Sequence, residues 1–242
     1  MVVKRAHEKK LKKELKKELA KGEARRLWLL LAGFGLCAGV VLGMCLAARS
    51  QLPDMLARPL TAAEALEVIG RNSPLTEYVY LSPNADFPRE AAIERLTIHH
   101  MAGDLTLEEL GALFALEDRR ASANYAIDSQ GRVGLYVEEA NRAWTSSSRE
   151  NDSRAVTIEV ANDEIGGQWH VSDEAFGQLA ALCEDICRRN GIRELKYTGD
   201  TEGNLTIHSM FDEATECPGP YLRGRLGELA AEVNRRLAAP PN

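Results

Sequence analysis

Three patterns of hydrophobic and polar residues follow one another along the chain. Charged residues dominate the first 26 positions, and residues 27–48 form an unbroken apolar run. From about residue 77 onward, short apolar runs alternate with segments whose apolar positions recur every three or four residues. The patterns predict an α/β fold, a central mixed β-sheet flanked by helices, preceded by a single N-terminal transmembrane helix.

Strands are predicted where short apolar runs are rich in β-branched residues. Residues 95–101 and 155–162 form two such runs, and a third run ends at His208. Residues 123–137 contain two further runs, separated by polar residues and Gly131. This arrangement predicts a β-hairpin that turns at Gly131.

Helices are predicted from their capping residues as well as from their apolar period. Thr106 and Glu109 have the spacing of a capping box at the start of one helix. A second helix is predicted between Ser172, which can cap its first turn, and Gly191, which can end it. Residues 221–237 predict the last helix.

The apolar run at 27–48 is long enough to cross a bilayer. As a helix, its 22 residues would span roughly 33 Å, and a bilayer core needs about 20 such residues. The apolar region of a secretory signal is shorter, so the run predicts an uncleaved anchor. A long signal cleaved near Ala48, or a lipoprotein signal at Cys45, are alternatives.

Charge is divided unevenly between the two ends of the chain. Residues 1–26 contain eleven Lys and Arg and four Glu, a charge of +7, so the net charge of −6 leaves −13 for the rest. The acidic remainder argues against a nucleic-acid partner. Because positive flanks stay in the cytoplasm, everything after residue 48 is expected outside the membrane. The predicted organisation is a basic cytoplasmic tail (1–26), a transmembrane anchor (27–48), a linker (49–75) and a domain (76–240).

Two histidine-bearing strand ends suggest a metal site. The run "LTIHH" ends at His99 and His100, the run "LTIHS" contains His208, and Cys217 follows nine residues later. Strand ends at one edge of a sheet meet in a common crevice, and a catalytic zinc takes three protein ligands. Adjacent strand residues point to opposite faces, so only one histidine of the His99–His100 pair can be a ligand of this metal. The alternative is two core histidines and a buried cysteine.

Among the acidic residues, Glu159 is the strongest candidate for a catalytic role. It lies in "AVTIEVAN", where alternation places Thr157 and Glu159 opposite Val156, Ile158 and Val160. A carboxylate on a central strand is costly unless it is paired or lies beside a metal. Beside a metal it would act as a general base; otherwise it would form a salt bridge.

Four segments in order, "TIHHMAG", "NYAIDSQGRVGLYVEE", "AVTIEVAN" and "HSMFDEATECPGPYL", resemble the family 2 N-acetylmuramoyl-L-alanine amidases, which are related to phage-type lysozymes and peptidoglycan recognition proteins. The resemblance covers roughly residues 73–237. It implies a zinc enzyme of the bacterial cell envelope that hydrolyses the amide bond between N-acetylmuramic acid and L-alanine in peptidoglycan. With the anchor, it implies a single-pass protein of the bacterial cell membrane with an extracellular catalytic domain.

The resemblance also implies roles for individual residues. It places Zn²⁺ on His99, His208 and Cys217, makes Glu159 the general base, and gives Thr215 a part in stabilising the oxyanion. His100 is then expected to face away as a packed core residue.

Two features depart from the family pattern. The gap between His208 and Cys217 is one residue longer than expected, and Ala123 occupies the position of a tyrosine that many members carry in the hairpin. Asn124 follows that position. Substrate contacts are assigned to three side chains, with ordinary packing as the alternative for the two tryptophans: Asn124, Trp144 and Trp169.

Two other classes of function remain open on the sequence alone. One is a non-catalytic peptidoglycan-binding membrane protein. The other is a structural membrane protein whose basic tail binds a cytoplasmic partner.

Overall fold

The computed structural model of the chain describes residues 54–240. Within this range, the residues from Met55 onward form one compact unit. The predicted tail and anchor, residues 1–26 and 27–48, lie outside the described residues. Within residues 54–240, no helix combines the length and the apolar character needed to cross a bilayer.

A six-stranded mixed sheet forms the centre of the domain. The strands of the domain are β1 (Thr76–Val79), β2 (Ala85–Asp86), β3 (Arg95–His100), β4 (Tyr125–Ile127), β5 (Val133–Leu135), β6 (Arg142–Ala143), β7 (Ala155–Val160) and β8 (Leu205–Ile207). The order in the central sheet is β1-β5-β4-β7-β3-β8, and a separate ladder joins β2 and β6. Strand β3 pairs in parallel with β7 and β8, β4 is parallel to β7, and the β4–β5 pair is antiparallel.

Helices cover both faces of this sheet. The main apolar core lies between one face and the two long helices, and a smaller apolar cluster lies under α2 on the other face. The helices are α1 (Ala62–Gly70), α2 (Leu107–Phe114), α3 (Arg149–Arg154), α4 (Asp173–Arg189) and α5 (Gly219–Ala238). The predicted α/β architecture, a mixed sheet flanked by helices, is therefore confirmed for the described residues.

The predicted hairpin and caps are present. Asp128 fixes the turn between β4 and β5, because its Oδ1 accepts hydrogen bonds from the backbone N–H groups of Gln130 and Arg132. Gly131 adopts φ 81°, in the left-handed region that glycine tolerates. Ser172 caps α4, and the Thr106–Glu109 capping box begins α2.

The predicted linker at 49–75 requires correction, because much of it belongs to the folded domain. Helix α1 lies inside this range and begins with a capping box formed by Thr61 and Glu64. Val68 of this helix is fully buried in the main core, where Met55 also packs. A short amphipathic helix buries its apolar side only against a partner, and here the domain itself is that partner.

The sheet has an apolar face and a polar face around β3. In register across β3 and β7, Ile98 pairs with Ile158 on the apolar face, and His99 pairs with Glu159 on the other face. Because strand residues alternate between faces, the side chains that can do chemistry are gathered on the face opposite the main core.

Candidate active site

The carboxyl ends of three parallel strands bring the predicted chemical groups together. His99 lies near the end of β3, directly opposite Glu159 on β7, and His208 follows β8 immediately. Parallel strands end at the same edge of a sheet. The sequence spacing alone did not determine whether these residues lie together. The structure places all three of them at one edge of the sheet.

His99, His208 and Cys217 form a compact set of donor atoms. One ligand atom from each residue lies within 4.8 Å of the others. The Sγ atom of Cys217 is 3.6 Å from Nδ1 of His99, and the centroids of the two imidazole rings are 4.8 Å apart. His99 and Cys217 are buried, with exposed fractions of 1% and 7%, whereas His208 is half-buried.

The loop after β8 carries Cys217 back to the strand ends. A 3₁₀ turn at His208–Met210 begins the loop, and the backbone N–H of Ser209 donates to the carbonyl oxygen of Cys217 at 3.2 Å. Cys217 in turn donates its backbone N–H to Thr215 Oγ1 at 3.1 Å. The long gap between His208 and Cys217 is therefore accommodated by local turns that keep the thiol at the site.

The donor set fits a zinc ion. Two imidazoles and a thiol are ligands that Zn²⁺ takes, leaving a fourth position open in catalytic sites. The buried Nε2 atoms of His99 and His208 have no hydrogen-bond partner among the described residues, and buried polar atoms ordinarily have one. A bound cation would give such atoms a partner.

The protonation states of the donors follow from their burial. Burial lowers the pKa of His99 well below its usual value and also lowers the pKa of His208, so both rings favour the neutral form that binds metals. Burial, and then the nearby Glu159, raise the pKa of the Cys217 thiol. A metal bound there would have to displace the thiol proton.

Glu159 has the environment of a general base or acid rather than that of a salt bridge. It is half-buried, and its Oε2 has no hydrogen-bond partner in the described part of the chain. Burial raises the pKa of Glu159 to about 8, and the charge of Arg119 opposes this rise. A carboxyl with such a pKa can exchange protons near neutral pH. The alternative of a salt-bridged strand glutamate finds no support among the ion pairs of residues 54–240.

Arg119, whose charge acts on Glu159, was not predicted from the sequence. It lies in an exposed 3₁₀ turn, Glu117–Arg119, whose sequence carries no motif that would mark it.

His100 is separate from the donor set, as strand alternation predicted. Its ring packs edge-on against Trp169, with centroids 5.2 Å apart. Its backbone N–H donates to Cys217 Sγ at 3.4 Å, so His100 touches the thiol through its backbone only. The side chain is half-buried against Trp169 and Gly219.

The three predicted substrate contacts lie in different environments. Trp169 is half-buried beside His100, in a left-handed conformation with φ 55°. Trp144 is also half-buried, and its Nε1 donates to Asp86 Oδ1 at 3.0 Å. Asn124 is fully buried and hydrogen-bonded to Thr157. The structure therefore does not bring Asn124 to a surface where it could touch a substrate.

The hairpin position of the family tyrosine is also buried. Ala123 packs in the small cluster under α2. On β4, Ala126 is the residue in register with Glu159. Strand β4 therefore presents a methyl group beside Glu159 and supplies no second acid or base.

A family model described as N-acetylmuramoyl-L-alanine amidase matches residues 89–220, more than half of the 242 residues. The chain belongs to this amidase family. The match includes all three donor residues and Glu159, and it bears out the resemblance of the four sequence segments. The amidase is accordingly an enzyme of the class that acts on cell-wall peptidoglycan.

Solved structures similar to the amidase include PlyL, with 16% identity, a TM-score of 0.47, and coverage of 69% of this chain and 91% of the other. A selenomethionine derivative of AmpD has 20% identity and a TM-score of 0.46, covering 67% of this chain and 94% of the other. The amidase LysCS from Clostridium intestinale has 16% identity and a TM-score of 0.49, covering 66% and 97%. A comparison with curated proteins finds no match.

Proposed function

We propose that the amidase hydrolyses the amide bond between N-acetylmuramic acid and L-alanine in a zinc-dependent reaction. The observation that carries this proposal is the set of three donor atoms within 4.8 Å of one another, next to a carboxyl oxygen that has no partner among the described residues. A structural zinc site would take a fourth protein ligand. Here the fourth neighbour is Glu159, which is better suited to proton transfer.

His99, His208 and Cys217 are the residues that would hold the ion. Zinc in this position would supply Lewis-acid chemistry, polarising the scissile carbonyl and acidifying water. Its positive charge would also favour the ionised form of Glu159.

Glu159 is the proposed proton carrier of the reaction. Its Oε2 atom would accept the proton of the attacking water and then deliver a proton to the nitrogen of the leaving L-alanine. Because Ala123 and Ala126 bring no titratable group to this side of the hairpin, Glu159 performs both transfers alone.

Thr215 is the proposed hydrogen-bond donor to the developing oxyanion. Its Oγ1 accepts a hydrogen bond from the backbone of Cys217, and a hydroxyl group that accepts one bond still has its own hydrogen to donate. Donors aimed at the oxyanion stabilise the transition state more than the substrate.

Trp169 is the better of the two proposed aromatic contacts for the substrate. It packs on His100, whose backbone touches the thiol of Cys217, so its ring lies close to the donor set. Trp144 already donates its indole N–H to Asp86. It is therefore proposed as a packing surface for the substrate rather than as a hydrogen-bond donor to it.

We further propose that residues 27–48 anchor the amidase in the bacterial cell membrane, with residues 1–26 in the cytoplasm and the catalytic domain outside. The support is the length of the apolar run and the basic residues that precede it. Peptidoglycan lies outside the membrane, so this orientation would place the site on the same side as its substrate.

Product identification by mass tests the proposed reaction. The purified full-length chain is incubated with zinc and disaccharide-peptide fragments of peptidoglycan. The proposal predicts two products, an intact disaccharide and a free stem peptide, whose masses add up to the substrate plus one water. Binding of cell walls without either product would favour the non-catalytic alternative instead.

A further inference from the structure

Three strands at the site carry the same tripeptide pattern. Thr-Ile-His occurs at 97–99 and at 206–208, and Thr-Ile-Glu occurs at 157–159. Each threonine thus precedes a site residue by two positions. Thr97, Thr157 and Thr206 are fully buried and lie at one level of the sheet, because Thr97 is in register with both of the others. We call these three residues the hydroxyl layer.

The hydroxyl layer ties the edge strand β8 to β3. The Oγ1 atoms of Thr97 and Thr206 are 3.0 Å apart, at hydrogen-bond distance, and Thr206 Oγ1 also donates to the carbonyl oxygen of Leu96 at 3.2 Å. Asn151, on α3, donates through Nδ2 to Thr97 Oγ1 at 3.0 Å and to Ser146 Oγ at 3.0 Å. Helix α3, on the polar face of the sheet, is therefore hydrogen-bonded to the Thr97–Thr206 hydroxyl pair through Asn151.

The network continues to β7. Ser146 Oγ donates to Asp152 Oδ1 at 2.6 Å, and Asp152 Oδ2 accepts the backbone N–H of Thr145 at 3.0 Å. The Oγ1 atoms of Thr145 and Thr157 are 2.9 Å apart. Asn124, which directly precedes β4, is the last member of this hydrogen-bond network. Its Oδ1 accepts a hydrogen bond from the backbone N–H of Thr157 at 3.1 Å.

Fold stability alone does not call for hydroxyl groups at this level. Valine has nearly the same shape as threonine, and burying a hydroxyl costs free energy unless it is hydrogen-bonded. On the other face, the same strands pack Val, Ile and Leu side chains into the main core. What the hydroxyl groups add is direction, since a hydrogen bond fixes distance and angle, which apolar contact does not.

Strand β8 needs such a constraint most. It is a three-residue strand at the edge of the sheet, paired on one side only, and His208 follows its last residue. A small shift of β8 along β3 would move the His208 ring relative to the His99 ring.

We infer that the hydroxyl layer is a positioning device for the metal ligands: the Thr97–Thr206 pair, held by Asn151, sets the spacing between His99 and His208. This inference rests on the proposed zinc site. Thr97, Thr206 and Asn151 are positioning residues, since they act through the histidines.

The test compares metal binding by the full-length chain and by the Thr97→Val and Thr206→Val variants. Zinc affinity is measured by competition with a chromophoric chelator, and site geometry by the visible absorption of the Co²⁺-substituted protein. Loss of supporting contacts around ligands weakens metal binding about 10-fold to 100-fold, and that range is expected for both variants, with a shifted Co²⁺ spectrum. Thr206→Ser, which keeps the hydroxyl, restores affinity and spectrum.

Thr76→Val is the matched control. Thr76 is a buried strand threonine on β1 whose Oγ1 has no hydrogen-bond partner among the described residues, so its replacement leaves zinc affinity unchanged. If the Thr206→Val variant does not fold, Thr206→Ala carries the same test.

The outcomes separate this inference from the proposed function. A wild-type chain that binds zinc, with Thr97→Val and Thr206→Val variants that bind it equally well, overturns the positioning role and leaves the zinc site standing. A wild-type chain that binds no zinc overturns both. A Thr206→Ser variant that binds zinc as weakly as Thr206→Val also overturns the role of the hydroxyl.

Discussion

His99 and Glu159 occupy the same register position on two neighbouring parallel strands, so their side chains leave one face of the sheet side by side. One is a buried imidazole and the other a carboxyl whose Oε2 has no partner within the described residues. This single pairing places a residue of the proposed metal site beside the proposed proton carrier.

Replacing Glu159 by Gln should slow turnover strongly and leave metal binding unchanged. The amide keeps the size of the side chain but cannot carry a proton between water and the leaving amine. General acid–base catalysis contributes roughly 10²-fold to 10⁴-fold, and a fall of that size in kcat is expected, with one zinc still bound per chain. Metal analysis and muropeptide hydrolysis measure the two effects. Glu164→Gln, on the exposed loop after β7, is the matched control and should leave both unchanged.

The adjacent histidines should respond differently to the same substitution. His99→Asn removes a buried donor of the proposed metal site and should lower zinc affinity by more than the roughly 10-fold to 100-fold that loss of a supporting contact costs. His100→Asn removes the contacts of the ring with Trp169 and Gly219 and should retain zinc. Chelator competition on the two variants measures the difference. Equal losses in both variants would contradict the assignment of the pair.

The capping box of α1 should make the stability of the fold depend on pH in the acidic range. Glu64 accepts hydrogen bonds from Arg58 and from the backbone and side chain of Thr61, and these lower the pKa of Glu64 from 4.5 to about 2. A carboxylate whose pKa falls on folding stabilises the fold above its unfolded pKa and loses that effect as pH falls towards its folded pKa.

Glu64→Gln should therefore lower the unfolding temperature at pH 6, and the difference from the wild type should shrink as pH falls from about 4.5 to about 2. Thermal unfolding at several pH values measures this. Glu67→Gln, on the same helix, is the control and should show a smaller difference at pH 6. A pH-independent difference for Glu64→Gln would show that the charge plays no part.

The ion pair between Arg189 and the buried Glu139 should matter for stability and not for zinc. Arg189 donates to both carboxylate oxygens of Glu139, which is 5% exposed and also accepts from Tyr125 Oη at 2.6 Å. Removing one partner of a fully buried pair leaves an uncompensated charge and costs about 3–5 kcal/mol. Because the Arg189 side chain is partly exposed, Arg189→Met should lower the free energy of unfolding by less than this but by more than the loss of a surface pair, as measured by urea denaturation.

The control for that variant is a surface ion pair. Arg235 pairs with Glu232 on the exposed side of α5, and exposed pairs contribute about 0–1 kcal/mol. Arg235→Ala should change the unfolding free energy by no more than that. Retention of zinc by Arg189→Met would confirm that its effect lies in the fold.

The elements that carry the site were predictable because their signals are local. Strands 95–101 and 155–162 and the hairpin at Gly131 have apolar runs bounded by turn residues, and α4 has both of its caps in the sequence. Alternation along a strand was enough to separate His99 from His100 and to place Glu159 opposite the apolar face.

Other features depend on contacts distant in sequence. Helix α1 resembled part of a linker because only packing of Val68 into the core shows that it belongs to the domain. Asn124 was assigned to the substrate because the sequence does not reveal that Thr157 occupies its side chain. The hydroxyl layer had a sequence signal, the repeated Thr-Ile-His and Thr-Ile-Glu tripeptides, but its meaning depends on register between strands.

The zinc dependence of the reaction is best tested by titrating zinc into the metal-free, full-length chain, with release of L-alanine amino termini from peptidoglycan as the readout. We expect no release without metal, a maximum at one zinc per chain, and no restoration in the Cys217→Ser variant at the same zinc concentrations. Release by the chelated wild type, or a Cys217→Ser titration that coincides with that of the wild type, would show that the proposed zinc site is wrong.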